Sequence, residues 1–193
     1  MAKVLLAFHG GVLWPLRRVL CAAMVLLCSS MVPLAALIPM APMNTAMAEQ
    51  AHPSHVAAST WRVVDGDTIH TEGHKIRLLG IDTPEMRQTC QTQDGADWPC
   101  GKMARDLVVG VLDAQGALWC RITGRDRYQR LLGQCFAGRD DSGIDIQHML
   151  VRSGFAVAEY TATYRAQEAA AQRGKNGLWR GSFLRPKDWR RRH

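Results

Sequence analysis

The chain has 193 residues, enough for one domain of ordinary size, and carries 24 Lys+Arg against 17 Asp+Glu for a formal charge of +7. Beyond residue 48 no apolar stretch approaches the roughly 20 residues that cross a bilayer, which excludes a protein of several membrane spans. A basic surface attracts polyanions without identifying them.

Residues 1–48 contain Lys3, Arg17 and Arg18 and no acid, then an apolar stretch from Val19 to Met43, then Ala46-Met47-Ala48 before Glu49. A basic start, an apolar middle and a small-residue site read as a secretory signal. A retained membrane anchor is the other reading, and Pro33, Pro39 and Pro42 argue against it by interrupting a spanning helix. Loss of the leader lowers the charge from +7 to +4.

Residues 49–59 read as a flexible lead-in, 60–180 as the folded domain and 181–193 as a basic tail. Trp61–Val64 and Thr68–Thr71 are expected strands around the turn Asp65-Gly66-Asp67. Glu72-Gly73-His74 turns into a strand over Lys75–Ile81, on which Ile76 and Leu78 face one way and Arg77 the other. Pro84 stops pairing and opens a loop, and Met86–Gly101 is a polar loop with Cys90 and Cys100 near its ends. Ala104, Leu107, Val108 and Val111 recur at helical spacing and predict a helix over Lys102–Asp113.

Leu118–Thr123 and Arg130–Ala137 form a second hairpin around Asp126-Arg127-Tyr128. A short helix follows over Ile146–Ser153, capped by Asp145 and stopped by Gly154, and a last one over Thr163–Arg173. Arg180–His193 reads as a solvated tail packed by Phe183 and Trp189, with a polyanion-holding arm as the alternative. Mainly β, α+β in class, five strands and about three helices in this order suit the partly open five-stranded OB-fold barrel.

Asp65, Asp67, Asp82 and Glu85 crowd into 21 residues of an otherwise basic chain. Carboxylates brought together repel unless a cation sits among them. Oxygen ligands without nearby His or Cys favour Ca²⁺ or Mg²⁺ over zinc. Arg77 beside such an ion suits a phosphate ester, because a guanidinium fork binds two phosphate oxygens. His70, His74 and His148 read as exposed polar residues.

Val64-Asp65-Gly66-Asp67-Thr68, Arg77-Leu78-Leu79-Gly80-Ile81-Asp82-Thr83-Pro84-Glu85 and Asp126-Arg127-Tyr128-Gln129-Arg130 stand in that order, followed by Leu150–Ala156 and Gly177-Leu178-Trp179. From Trp61 to Trp179 the chain resembles the staphylococcal nuclease (thermonuclease) family. The resemblance implies the OB barrel and a Ca²⁺-dependent nuclease that cuts DNA or RNA and leaves a 3′-phosphate and a 5′-hydroxyl. It implies that Asp67, Asp82 and the carbonyl of Thr83 hold the metal, that Glu85 stands by the attacking water, and that Arg77 and Arg130 bind the phosphate. Arg127 and Tyr128 match residues at the nucleotide phosphate. Tyr160 matches a tyrosine near the base, with a core tyrosine as the other reading. Asp65 either supports the metal ligands or holds the turn.

Three departures stand out: Gln129 replaces a glycine, Ala162 replaces a second pocket tyrosine, and the Cys90–Cys100 segment with Trp98 replaces a mobile loop. The rival reading is a non-catalytic nucleic-acid-binding module, possibly membrane-tethered; the joint presence of Asp67, Asp82, Glu85, Arg77 and Arg130 argues against it. Nucleic acid is the only partner implied, and the expected state is a monomer.

Cys21 and Cys28 lie in the leader, so the exported chain keeps four cysteines, which allow three disulfide pairings. No CxxC pair and no histidine in ligand register speak for zinc. If the second hairpin pairs around Arg127 and Tyr128, residues whose numbers sum to 255 face each other, which sets Cys120 opposite Cys135 and leaves Cys90 for Cys100.

Overall fold

In the computed structural model of the chain, residues 52–193 are described. The expected leader over 1–48 and the first residues of the lead-in lie outside them. Among the described residues no helix is long and apolar enough to cross a membrane.

The sheet begins earlier than expected. β1 (His55–Ala58) lies within the stretch read as a flexible lead-in and buries Val56 by pairing with β8 (Leu118–Arg125), Val56 opposite Cys120. Next come β2 (Arg62–Asp65), β3 (Thr68–Thr71) and β4 (His74–Leu78), a meander turning at Gly66-Asp67 and at Glu72-Gly73. β9 (Leu131–Ala137) pairs antiparallel with β8 but parallel with β4, Arg77 opposite Leu132. β10 (Ile144–Asp145) adds to the far end of β9.

The result is a mixed sheet of seven strands in the order β1-β8-β9-β4-β3-β2, with β10 on β9. β1 and β2 at its two ends do not pair with one another, so among the described residues the sheet is open and not a closed five-stranded barrel. Among the described residues four helices are present where about three were expected.

The strand expected to reach Ile81 breaks at Leu79-Gly80. Ile81 and Asp82 leave the large sheet as β5 and pair with β11 (Val157–Ala158), Asp82 opposite Val157. The Met86–Gly101 segment is also more ordered than a loop. β6 (Cys90–Thr92) and β7 (Asp97–Trp98) form a hairpin, and β12 (Gly181–Ser182) extends it.

α1 (Cys100–Gln115) buries Ala104, Val108 and Leu112, one stripe at a spacing of four, and its last turn is closed by Gly116, whose N–H donates to the Leu112 carbonyl. α2 (Ile146–Arg152) is capped as expected, the Asp145 side chain accepting from the His148 N–H. α3 (Arg165–Arg173) follows, and a 3-10 turn over Gly177–Arg180 leads to β12. The expected solvated tail closes as a fourth helix, α4 (Pro186–Arg192).

The main core joins Ile69, Ile76, Leu78 and Leu131 of the sheet to Val108 and Leu112 of α1 and Ile146 and Leu150 of α2. A second cluster packs Cys90, Cys100 and Trp98 on Val157 and Leu178, so the hairpin after the Glu85 loop is anchored to the C-terminal part of the chain. Where β9 passes from β4 to β10, the buried Gln147 bonds buried backbone groups of β9: its Oε1 accepts from the Cys135 N–H and its Nε2 donates to the Gly133 carbonyl. Both disulfides form as expected, Cys90–Cys100 and Cys120–Cys135, with Cα separations of 5.7 and 4.0 Å.

Candidate active site

A pocket of about 360 Å³ opens at one end of the β4–β9 pair and takes side chains from separated segments: Asp65, Asp67, Arg77, Thr83, Glu85, Arg127, Tyr128, Arg130, Tyr160 and Arg190. Strand alternation places the two expected phosphate arginines. Arg77 is opposite Leu132, and Arg130 stands immediately before β9, two residues ahead of Leu132, and both side chains line the pocket.

The Asp65-Gly66-Asp67 turn is fixed by its own first residue, because Asp65 Oδ1 accepts from the Asp67 N–H at 3.0 Å. Asp65 therefore holds the turn. A Cβ on Gly66 would stand 2.8 Å from the Thr83 hydroxyl, so this glycine lets the turn lie against the Thr83-Pro84 corner. Thr83 in turn donates its N–H to Asp67 Oδ2 at 3.4 Å. Two segments that were only neighbours in sequence logic thus become one structure.

Asp67 and Asp82 are both buried, at 3% and 0% exposure, and share one guanidinium. Arg77 donates through Nη1 to Asp67 Oδ1 at 2.6 Å and through Nη2 to Asp82 Oδ1 at 3.2 Å. Burial pushes Asp67 up to about 7, Asp65 and Asp82 add to the rise, and Arg77 and the Thr68 hydroxyl offset only part of it. Arg77 is raised above its ordinary value by the same acids, against the effect of its burial. Burial is the main reason that Asp67 is raised, and a guanidinium it divides with Asp82 does not offset it.

Glu85 is partly exposed and its loop is tightly fixed. The Glu85 N–H donates to Gln88 Oε1, the Gln88 N–H donates back to the Glu85 carbonyl, and Gln88 Nε2 donates to the Leu184 carbonyl at 2.7 Å. The first turn of α1 presses on this loop: a Cβ on Gly101 would come within 1.8 Å of the Glu85 carbonyl oxygen. The adjacent Cys90–Cys100 bridge pins the same junction.

Arg130 is oriented by Asp126. Asp126 Oδ1 accepts from the N–H groups of Tyr128 and Arg130, and Oδ2 accepts from Arg130 Nε at 2.7 Å. Burial works to raise Asp126, but these hydrogen bonds outweigh it and hold its carboxyl below the usual range. The turn that aims Arg130 closes with Gln129 at φ +64°, the left-handed conformation that the family's glycine would adopt freely. Arg127 donates to the Tyr128 hydroxyl and stacks on its ring at 4.8 Å. Tyr128 and Tyr160 are exposed at the rim, so Tyr160 is not a core residue; that place belongs to Tyr164.

Arg190 was not among the expected site residues. From α4 it donates to Asp82 Oδ1 at 3.1 Å and Oδ2 at 2.8 Å, and to Glu85 Oε1 at 2.8 Å. The hydrogen bonds to Asp82 and Glu85 hold it above the ordinary arginine range. With Arg77 and Arg190 between them, no three carboxylate, imidazole or thiolate side chains converge as a ready-made metal cage among the described residues. The donor chemistry nonetheless suits a hard cation: buried, oxygen-only, and short of positive charge.

Comparison with known proteins places this geometry. The family model described as staphylococcal nuclease homologue matches residues 75–181, more than half of the chain. The chain belongs to the staphylococcal nuclease family. It is 34% identical over 140 residues to an uncharacterized endonuclease of Escherichia coli O157:H7, covering 68% of this chain and 82% of that protein. It is 36% identical over 121 residues to the succinoglycan biosynthesis protein ExoI of Rhizobium meliloti, covering 61% and 62% of the two chains. Endonuclease YhcR of Bacillus subtilis is 31% identical over 135 residues, which are 61% of this chain but 11% of that protein. The chain thus spans less than two thirds of ExoI and YhcR.

Proposed function

We propose that this chain is an exported, calcium-dependent nuclease that hydrolyses phosphodiester bonds of DNA or RNA and leaves 3′-phosphate ends. The observation that carries this reading is the single pocket uniting Asp67, Glu85, Arg77, Arg127, Tyr128 and Arg130 from distant segments. A family match and endonuclease-named relatives support it.

In this reading Asp67, Asp82 and the carbonyl of Thr83 hold Ca²⁺. When bound, the ion would neutralise a phosphate oxygen and orient the attacking water. Arg77 and Arg130 receive phosphate oxygens in their planar forks and stabilise the charge that builds up as the bond breaks. Glu85 accepts the proton of the attacking water. Arg127, Tyr128 and Tyr160 take the neighbouring nucleotide at the rim. The mixed sheet with its helices is consistent with the α+β fold of this family, with 60–180 as the catalytic domain acting as a monomer. A leader over 1–48 would direct it out of the cytoplasm, where two disulfides persist.

The test is a cleavage assay on single- and double-stranded DNA and on RNA, in chelator and with Ca²⁺ or Mg²⁺, with the product ends mapped. Cleavage abolished by chelator and restored better by Ca²⁺ than by Mg²⁺ is expected, since Mg²⁺ demands stricter geometry and gives up water reluctantly. Full activity in excess chelator sinks the metal assignment, and no cleavage with any of these ions sinks the nuclease reading.

A further inference from the structure

α4 is a short helix whose attachment to the body runs through few points. Of its residues, only Pro186 is buried. The Leu184 carbonyl just before it accepts from Gln88, and Arg185 lies 3.5 Å from Glu159 and 3.6 Å from Glu168. Beyond these, the helix is tied down by Arg190 on Asp82 and Glu85. A seven-residue helix is not stable by itself in water, so its order depends on these attachments, of which Arg190 supplies the one in its last turn.

The contact is with two of the acids that the proposed reaction needs. The oxygens of Asp82 carry three guanidinium hydrogen bonds, one from Arg77 and two from Arg190. Glu85 Oε1 is engaged by the same Arg190 Nη1 that reaches Asp82. A divalent cation on Asp82 would compete for these lone pairs and stand against a guanidinium already in contact with them. Like charges at such range repel strongly away from bulk water. Both cations cannot hold Asp82 in this geometry.

We propose that Arg190 is a built-in counter-cation that occupies Asp82 and Glu85 in the metal-free protein and competes with calcium for them, so that metal binding releases α4. This rests on the reading of Asp82 as a metal carboxylate. Gln88 couples the two ends of the device, since its amide holds both the Glu85 N–H and the Leu184 carbonyl that precedes α4. Arg190 also neutralises the buried Asp82 when no metal is present, which removes part of the repulsion that would otherwise strain the empty-handed fold.

The experiment is calcium titration calorimetry on the full exported chain, residues 49–193, as wild type, Arg190→Gln, Arg191→Gln and Asp82→Asn, with hydrogen exchange of α4 in the wild type. If the docked state is populated about nine times in ten, it weakens apparent affinity about tenfold, and Arg190→Gln restores that factor. Arg191→Gln loses the same charge one residue away, but among the described residues Arg191 pairs only with Asp188 of its own helix, so this variant should stay within about twofold of wild type. Calcium should speed amide exchange over residues 186–192. Equal affinity in wild type and Arg190→Gln, with Asp82→Asn weakened, overturns the competition and leaves the metal site standing. An equal gain in Arg190→Gln and Arg191→Gln reduces the effect to net charge and also overturns it. Unchanged exchange of α4 on calcium binding overturns the release. Wild type and Asp82→Asn binding alike would instead remove the metal assignment on which the proposal rests.

Discussion

Arg77→Lys keeps the charge and removes the fork, so it separates the two tasks of this side chain. The guanidinium bridges two buried carboxylates, at 2.6 Å to Asp67 and 3.2 Å to Asp82, with only 17% of its own side chain exposed. An ammonium reaches one of them. The carboxylate left behind is a buried acceptor without its cation, which costs about 1–3 kcal/mol, and breaking a buried pair reaches about 3–5 kcal/mol. Here the loss is cushioned: Asp67 keeps the Thr68 hydroxyl and the Thr83 N–H, and Asp82 keeps Arg190. The expected destabilisation in chelator is therefore about 2 kcal/mol, or roughly 7 °C in Tm for a domain of this size. Calcium should restore part of it by supplying the missing positive charge. Turnover should still fall by about 10²–10³ at saturating calcium, because a point charge cannot hold two phosphate oxygens at once. Urea denaturation with and without calcium, paired with single-turnover cleavage, measures both. A Lys variant as stable as wild type in chelator would show that the shared guanidinium does not hold the acid pair together. Near-normal turnover would remove Arg77 from the reaction.

Arg130→Lys should lose turnover to a similar degree yet change stability by no more than about 1 kcal/mol, since its pair with Asp126 is partly exposed; urea midpoints would contradict this if they fell as far as for Arg77→Lys. Gln129→Gly should stabilise by about 0.5–1 kcal/mol, because relief of a left-handed conformation worth about 1–2 kcal/mol exceeds glycine's entropic cost of about 0.5–1 kcal/mol, and a lower Tm would refute it. Replacing Cys120 and Cys135 by alanine opens a loop with a sequence separation of 15 and should cost about 3 kcal/mol by thermal melting, while calcium-dependent cleavage survives at low temperature. In chelator, Asp67 with its carboxyl pushed up to about 7 keeps a proton that the unfolded chain has already lost, so its contribution is complete below the ordinary aspartate value of 3.8 and is lost as pH rises through 7. That loss is on the order of a few kcal/mol; Tm should fall from pH 5 to 8 in chelator, and Asp67→Asn or added calcium should flatten the curve.

The parts of this molecule legible in the sequence were those whose cause is local. Asp65 folds its own turn, Asp145 caps its own helix, and Ile76, Arg77 and Leu78 alternate as a strand must. The disulfide register came out as expected by a less direct route. Next to the turn Arg125 faces Leu131, one residue out of the expected frame, and an irregularity between Ile122 and Gly124 restores it so that Cys120 meets Cys135. Other elements owe their form to distant partners. His55–Ala58 is short, with one β-branched residue and two alanines, too little to announce a strand, and becomes one because β8 offers an edge. The strand carrying Arg77 ends early because Asp82 is claimed by Val157. Arg190 gave no local signal, being one of three consecutive arginines, and only its position 108 residues from Asp82 in sequence and 2.8 Å in space distinguishes it.

The four pocket arginines differ in what each must give up to meet a phosphate. Arg77 is divided between two buried acids, and Arg190 between Asp82 and Glu85. Arg130 is held by Asp126, but through Nε and Nη2, which leaves Nη1 for another acceptor. Arg127 has only the Tyr128 hydroxyl and ring as partners among the described residues, and no carboxylate. A polyanion entering the pocket therefore meets, at the rim, the guanidinium with the least to surrender, and meets inward those whose charge is already committed. Such an order favours weak, reversible contact at Tyr128 and Tyr160 over tight capture at the acids. It also makes the charge state of the acid pair, set by Arg77, Arg190 and any bound cation, the quantity that decides whether the inner arginines are free to act.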